Sequence, residues 1–320
     1  MSAVKTKRSF GQWLRGYTGQ KYTTTFLFLL IPLALLIVFT LIPAVNMVIY
    51  SFQDREMLGF QKWVGFDNYA RIFGVTSSTF PVANMDFMTP LFNSLYYLVG
   101  SFLQQIIALF LATILCSKIK LGGLFKGFMF FPYLMNGVAV AIIFKNFFGN
   151  GDGVTAPQGT LNSMIQIFAG QSFEGIPWIS DPTNPFMANV CLVFASIWRY
   201  VGFDIIMYIS AIQSITPDVY EAADLDGANS WQRFWYIVFP SIRPIVSLQL
   251  IMAVKGAVSV FEIPFIITKG GFGTSTFVIK ANATAFEDEM VGLACAMSVV
   301  LLIITLIVTA IQKIAFKERK

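Results

Sequence analysis

Four charged side chains lie inside two long apolar segments of this 320-residue chain. Arg199 and Asp204 interrupt one segment, and Lys255 and Glu262 interrupt the other. A charge at the centre of a membrane span costs about 3 kcal/mol or more unless it is paired or faces a water-filled cavity. These four residues therefore predict polar groups that either pair with one another or face a pathway through a membrane.

The rest of the composition narrows the chemistry. The chain contains no histidine, which excludes a Ser-His-Asp triad and a His-rich metal site. Its three cysteines, Cys116, Cys191 and Cys295, each lie in an apolar run, as small core residues do. No Gly-x-x-x-x-Gly-Lys-Ser/Thr motif is present, so the chain has no loop that could cradle ATP phosphates. We find no constellation for an intramembrane enzyme.

The elements that position these charges are membrane spans. The sequence is 56% hydrophobic and 12% charged, with a mean hydropathy of +0.68, whereas soluble domains carry about 25% charged residues. About 20 apolar residues cross a bilayer as a helix. Six segments meet this length closely enough to predict an all-α integral membrane protein. They are Phe26–Tyr50, Pro90–Ser117, Gly127–Phe144, Phe186–Ile212, Pro244–Thr268 and Met290–Gln312.

The distribution of Lys and Arg predicts the orientation. With both termini in the cytoplasm, fourteen of the 22 basic residues lie on the cytoplasmic side and six on the other. Positive loops stay inside, so we predict cytoplasmic termini in a bacterial cytoplasmic membrane. Residues 1–24 are predicted to be a basic interfacial segment, residues 25–316 the six-span domain, and residues 317–320 a cytoplasmic tail. The first apolar run is too long for a removable signal peptide.

Two long loops lie on the outer side, at residues 51–89 and 149–185. Both are rich in Gly, Pro, Asn and Asp, and loops of this length are usually functional or disordered. Leu161–Phe168 is apolar enough for a short interfacial helix. We expect these loops to form a docking face for a partner outside the membrane.

The loop at residues 216–240 reads as two short helices that meet at a glycine. Thr216 and Pro217 suit a helix start, Gly227 suits a left-handed C′ residue, and Asn229 with Gln232 suits a second start. A helix–turn–helix that binds DNA would need basic residues, but four acidic residues outnumber Arg233 here. The loop is therefore predicted to bind a basic protein surface, and no nucleic acid.

At these residues the sequence resembles a known family. Glu221-Ala222-Ala223, Gly227, Ile237 and Pro240 have the spacing of the EAA loop in the transmembrane subunits of binding-protein-dependent ABC importers. Further segments resemble the carbohydrate-type permeases in the lineage of the larger maltose permease subunit. These are Gly65–Phe73, Ile197–Phe203, Thr268–Gly271 and Thr274–Thr276. One departure is Phe272, where many relatives have Pro after the glycine pair.

The resemblance implies a type I ABC importer fold and a coupling role for this loop. Glu221 would pair with a basic residue in a groove of an ATPase subunit, Gly227 would provide the bend, and Ala222 and Ala223 would allow close approach, with Asp226 beside them. The alternative is that Glu221 only stabilises a helix N-terminus, by about 0.3–1 kcal/mol. The chain would need no cofactor of its own, since ATP and Mg²⁺ would bind the partner subunits.

The resemblance also implies a substrate pathway beside the coupling loop. Aromatic rings there could stack on sugar rings while polar groups bond hydroxyls. The candidates are Trp198, Arg199, Tyr200, Phe203, Asp204, Lys255, Phe261 and Glu262. Lys255 and Glu262, seven residues apart, are expected on one helix face about 10 Å from each other. The charges could instead pair with each other or with a sister permease. The two cations, Arg199 and Lys255, leave open an acidic, uronate-containing sugar as the substrate.

The implied assembly has five kinds of component around this chain. They are a second homologous permease, two cytoplasmic ATPase subunits, an extracytoplasmic solute-binding protein, a carbohydrate substrate and membrane lipid. Two alternatives stay open: a secondary transporter, and an ABC permease for another small polar solute such as glycerol phosphate or a polyamine. A secondary transporter often shows inverted repeats, and the first half of the chain has no counterpart of the EAA loop.

Overall fold

The computed structural model describes residues 17–56, 59, 61–74, 86–117, 120–149, 159–170, 173 and 175–315. In these ranges, five helices are long and apolar enough to span a membrane, and one bent helix pair makes a sixth candidate. The predicted helical membrane fold is confirmed. The predicted tail 317–320 and most of the predicted interfacial segment 1–24 lie outside the described residues.

The first span consists of α1 (Tyr17–Leu36), a π-helical turn (Ile37–Leu41) and α2 (Ile42–Tyr50). The π-helical turn ends two residues before Pro43, whose ring removes a backbone donor. At the end of this turn, the Ile42 N–H bonds the Ile37 carbonyl, five residues earlier in the chain. Side chains along this span are largely exposed, as expected for a surface that faces lipid or a partner. Within this span, α2 packs against the helix Val291–Ala315.

The loop after the first span contains a small hairpin and a short helix. Strands β1 (Gln53–Arg55) and β2 (Gln61–Trp63) pair antiparallel, with Gln53 opposite Trp63. Helix α3 (Asp67–Ile72) follows. The buried Asn68 amide donates to the carbonyls of Ser51 and Gln53, both at 2.9 Å, and so ties α3 to the end of the first span.

The second span is one helix, but the third differs from the prediction. Helix α4 (Met88–Leu115) is continuous, whereas predicted span Gly127–Phe144 is divided into α5 (Gly122–Leu134) and α6 (Gly137–Phe148), bent by 94°. Met135 is extended, and Asn136 caps α6 by accepting the Val138 N–H at 2.8 Å. An uncharged run of sequence conceals this break, because one Asn caps the start of a new helix without adding charge.

The loop after α6 and the fourth span follow. Helix α7 (Thr160–Ala169) confirms the short helix predicted over Leu161–Phe168. Its Asn162 accepts hydrogen bonds from the Ile176 N–H and the Trp178 indole, which fixes the return of the loop. Helix α8 (Pro185–Gln213) is the fourth span, with Asn184 as its cap.

The coupling loop leads directly into the fifth span. Helix α9 (Pro217–Leu225) is followed by α10 (Ser230–Arg233), a π-helical turn (Phe234–Val238) and α11 (Phe239–Val258). After a break, α12 (Glu262–Thr268) completes this segment. The prediction of one helix face for Lys255 and Glu262 is therefore wrong, because the helix ends at Val258 and the residues from Ser259 to Phe261 are not helical.

The chain ends with α13 (Phe277–Phe286) and α14 (Val291–Ala315). The loop before α13 is held from two spans: the amides of Asn93 in α4 and Asn189 in α8 both donate to the Gly273 carbonyl. In this loop Phe272 has φ +54°, in the left-handed region. Proline, which many relatives have at this position, cannot reach that φ. The departure at Phe272 therefore accompanies a backbone conformation that proline could not adopt.

We expect Phe272→Pro to destabilise the protein by more than about 1 kcal/mol, because the native φ is incompatible with the proline ring. Phe272→Gly should be stabilising or neutral, since glycine adopts positive φ at little cost. The thermal unfolding midpoints of the purified assemblies would check this order. A higher midpoint for Phe272→Pro than for Phe272→Gly would contradict it.

Helices α4, α5 and α11 pack around α8, and small residues permit close contact. At Gly202 of α8, an added Cβ would lie 1.9 Å from the Met129 carbonyl oxygen of α5. Ala108 and Ala112 of α4 are fully buried in the same region. This packing fixes the position of α8, which carries both Arg199 and Asp204.

Gly202→Ala should therefore destabilise the chain by about 1–3 kcal/mol, as overpacking against backbone does. The matched control is Gly127→Ala in α5, where nothing lies within 4 Å of the added Cβ. This control should be neutral or slightly stabilising, because Ala favours a helix interior. Equal unfolding midpoints for the two variants would rule out the close α5–α8 contact.

Candidate functional site

A cavity of about 510 Å³ lies between α4, α8, α11 and α12, with Tyr133 of α5 at its wall. Five of the eight predicted pathway residues line it: Tyr200, Phe203, Asp204, Phe261 and Glu262. The other three, Trp198, Arg199 and Lys255, are not part of the lining. The break between α11 and α12 contributes directly, because Ser259, Val260 and Phe261 all face the cavity.

Asp204 is the centre of a buried polar cluster on the cavity wall. Its Oδ2 accepts hydrogen bonds from Gln104 Nε2 at 2.6 Å and Gln105 Nε2 at 2.9 Å, both in α4. Its Oδ1 accepts from Gln249 Nε2 of α11 at 2.7 Å. Tyr208 donates to Gln105 Oε1 at 2.6 Å. The carboxylate thus joins three spans, and the hydrogen bonds compensate for its burial.

Sequence reasoning missed the three glutamines of this cluster. All three line the cavity together with Asp204. Their signal in the sequence is an uncharged polar side chain within an apolar span, which rarely occurs at a lipid-facing position. A search for charges alone passes over them.

Arg199 and Glu262 form an ion pair that connects α8 with the start of α12. Arg199 Nη1 lies 2.5 Å from Glu262 Oε2 and also donates to the Tyr200 hydroxyl at 3.0 Å. The Arg199 side chain is 13% exposed, whereas that of Glu262 is 41% exposed. The pair lies directly over Gly137, the first residue of α6. The sequence predicted that the intramembrane charges either pair with one another or face a pathway. Arg199 and Glu262 pair with each other.

Some of the aromatic residues line the cavity, and others pack between helices. Tyr133 stacks on Phe203, with ring centroids 4.9 Å apart, and contacts Tyr200 edge-on at 6.3 Å. Phe261 stacks on Phe265 at 4.7 Å. Trp198 instead packs edge-on against Phe144 of α6 at 5.3 Å, away from the lining. Tyr133 is a further lining residue, besides the three glutamines, that the sequence did not indicate.

Lys255 lies on the exposed surface of α11 and does not line the cavity. Its neighbours Met252, Ala253, Gly256 and Ala257 do line it. This places the Lys255 side chain outside the enclosed part of this subunit, on a surface that lipid or a partner subunit would cover.

The coupling loop has the predicted bend. Gly227 has φ +70°, and the Ala228 N–H bonds the Ala223 carbonyl at 2.9 Å, which is the long hydrogen bond of a Schellman C-terminus. Asn229 and Gln232 form the predicted capping box. Thr216 occupies the predicted N-cap position of α9, although its side chain makes no capping hydrogen bond.

An internal ion pair closes the loop on itself. Arg233 pairs with Asp224, and its Nε also donates to the Ala228 carbonyl at 2.9 Å. Ala223 is buried against the subunit, while Glu221, Ala222, Leu225 and Asp226 are exposed. Leu225 is 90% exposed. The exposed surface therefore includes the carboxylates of Glu221 and Asp226 beside the large apolar side chain of Leu225.

Within the described residues, no group of three or more His, Cys, Asp or Glu side chains could hold a metal ion. The polar groups of the cavity are amides, hydroxyls and carboxylates. Such groups can bind hydroxyl-rich solutes by hydrogen bonds, while the rings provide apolar contact.

These features define a multi-pass helical membrane subunit with a cavity between its helices and an acidic loop at residues 216–240 between two spans. Residues 104–319 match the family described as binding-protein-dependent transport system inner membrane component. The chain belongs to this family, and it is a permease subunit of an ABC importer. The prediction of a transport subunit in the inner membrane, with ATP hydrolysis on separate subunits, is confirmed by this membership.

Individual relatives extend over nearly the whole chain. A probable ABC transporter permease protein of Bacillus subtilis is 32% identical over 301 residues, covering 91% of this chain and 95% of that protein. The lactose transport system permease protein of Rhizobium radiobacter is 30% identical over 302 residues, covering 92% and 94% respectively. A chain of a bacterial alginate ABC transporter, solved with an alginate pentasaccharide-bound periplasmic protein, superposes with a TM-score of 0.77 at 18% identity, covering 93% and 95%. That likeness shows the fold.

Proposed function

We propose that this subunit forms half of the pathway of an ATP-driven importer for a carbohydrate, most naturally an oligosaccharide. The observation that carries the proposal is the cavity between α4, α8 and α11, where aromatic rings and hydrogen-bonding groups occur side by side. A sugar presents apolar ring faces and hydroxyls, and such a wall complements both. The lactose permease among the relatives supports the same class of substrate.

We propose that the subunit works by alternating access, and the connection between the cavity and the loop at residues 216–240 supports this. Helix α8 enters the loop from one side, and α11 leaves it on the other, so both cavity walls are continuous with the loop. A movement of the loop would shift both walls together. We propose that Glu221, Ala222 and Asp226 contact the ATPase, that buried Ala223 supports the loop from beneath, and that Gly227 sets its angle.

The assembly would contain a second homologous permease, two ATPase subunits and a solute-binding protein. Both termini would lie in the cytoplasm, and the loops that contain α3 and α7 would face the binding protein. In α7, Ile167 is 79% exposed and Phe168 is 91% exposed. These side chains offer contact area on the outer side.

Reconstitution of the complete assembly into liposomes tests the proposal. We expect uptake of an oligosaccharide that depends on ATP, on the solute-binding protein and on the second permease. Uptake by a homodimer of this chain would contradict the heteromeric pathway. Uptake of glycerol phosphate or a polyamine, with no uptake of any saccharide, would contradict the carbohydrate substrate.

A further inference from the structure

Among the described residues, the cavity lining contains one carboxylate that is not paired with a cation, Asp204, whereas its other carboxylate, Glu262, is paired with Arg199. Asp204 and Glu262 are its acidic groups, and none of the described lining residues is Lys or Arg. Arg199 is engaged by Glu262 and is outside the lining, and Lys255 is on the exposed surface of α11. The two cations that left an acidic sugar open in the sequence therefore do not form an anion site in the cavity.

The charge of Asp204 is balanced by dipoles only. All three of its described hydrogen bonds come from glutamine amides, which carry no net charge, and Asp204 is the acceptor in each, as an ionised carboxylate is. An unpaired carboxylate in a cleft with low-dielectric walls keeps a negative potential there. A second carboxylate that entered this cavity would be repelled.

From this distribution of charge we infer that the cavity selects neutral, hydroxyl-rich oligosaccharides and disfavours uronate-containing ones. The inference rests on the proposed carbohydrate function and adds the charge of the substrate to it. The remaining lining groups suit a neutral sugar, since Ser101, Ser196 and Ser259 provide hydroxyls and Tyr133 and Phe203 provide ring faces. These groups interact with hydroxyls and ring faces without requiring substrate charge.

The first test measures the potential in the cavity without any sugar. A Ser259→Cys variant places a thiol at an exposed position of the lining, in a background where Cys116, Cys191 and Cys295 are replaced. Its modification by a trimethylammonium methanethiosulfonate is compared with that by a sulfonate methanethiosulfonate, each normalised to a free thiol, in the complete assembly. We expect about a tenfold preference for the cationic reagent. A preference for the anionic reagent would overturn the inference.

Three variants assign the potential to its source. Asp204→Asn should lower the preference for the cationic reagent at least about threefold. Met252→Lys adds a positive charge at a half-exposed lining position outside the buried cluster. It should also lower this preference, and it can be measured even if Asp204→Asn does not assemble. The control Glu287→Gln removes an exposed carboxylate outside the lining and should leave the preference unchanged. An unchanged preference in Met252→Lys would overturn the inference.

The second test uses saccharides as probes. A panel of neutral glucose di- to tetrasaccharides and the corresponding glucuronate oligomers is examined for protection of Ser259→Cys against an uncharged thiol reagent. Protection by neutral oligomers alone supports the inference. Protection by glucuronate oligomers overturns the charge selection but retains the carbohydrate function. Protection by neither series, in an assembly that still hydrolyses ATP, contradicts the carbohydrate function and the inference with it.

Discussion

Glu221→Lys should abolish uptake and substrate-stimulated ATP hydrolysis while the subunit still assembles in the membrane. Glu221 is exposed on α9, so its replacement leaves the core intact. The proposed partner is a basic groove of the ATPase, and two like charges at such a contact cost several kcal/mol. We expect at least about a hundredfold loss of uptake, since each 1.4 kcal/mol is a factor of ten. Uptake in proteoliposomes and the amount of subunit in the membrane are the two measurements.

Two controls separate docking from folding. Glu287→Lys makes the same change of charge at an exposed position of the loop after α13 and should retain uptake. Glu221→Gln keeps the size of the side chain and should lose less activity than Glu221→Lys. Near-normal uptake by Glu221→Lys would leave only the helix-dipole interpretation of Glu221.

The coupling loop could be predicted well because its structure is local. The bend at Gly227 and the capping box of Asn229 and Gln232 depend on residues a few positions apart, which sequence spacing records. The exception is Thr216, whose position at the N-cap was predictable but whose side-chain hydrogen bond was not. Spans α4, α8 and α14 were also predictable, because apolar length alone defines them.

The cavity was less predictable because long-range contacts assemble it. Gln105 and Asp204 lie 99 residues apart, and no periodicity relates them. The breaks at Met135 and at Ser259 were hidden because neither adds a charge to its apolar run, yet both determine where the ion pair and the lining lie. The charges were recognised as unusual, but their partners depend on how the helices bend.

The ion pair between Arg199 and Glu262 gives the second large effect, and the two single variants should differ. Glu262→Gln leaves Arg199 unpaired with a side chain that is only 13% exposed, which we expect to destabilise the subunit by about 3–5 kcal/mol. Arg199→Gln leaves Glu262, which is 41% exposed at the cavity, where water can solvate it. Arg199→Gln should therefore lower the free energy of unfolding by about 1 kcal/mol, close to the loss of a surface ion pair.

The double variant distinguishes a paired charge from a merely polar contact. Arg199→Gln with Glu262→Gln removes both charges, so it should be more stable than Glu262→Gln alone, although it carries one more substitution. Thermal unfolding midpoints of the purified assembly would give this order. A double variant whose loss equals the sum of the two single losses would show that the two charges do not interact.

Gly137→Ala tests the same pair with both charges present. The added Cβ would lie 2.2 Å from both Arg199 Nη1 and Glu262 Oε2, so the ion pair must move away from the bend between α5 and α6. Both side chains end in flexible groups, and Ala favours a helix, so the fold should tolerate the change. Uptake should nevertheless fall several-fold, because Glu262 begins α12 and lines the cavity. Undiminished uptake by Gly137→Ala would mean that the position of the pair over the bend does not matter for transport.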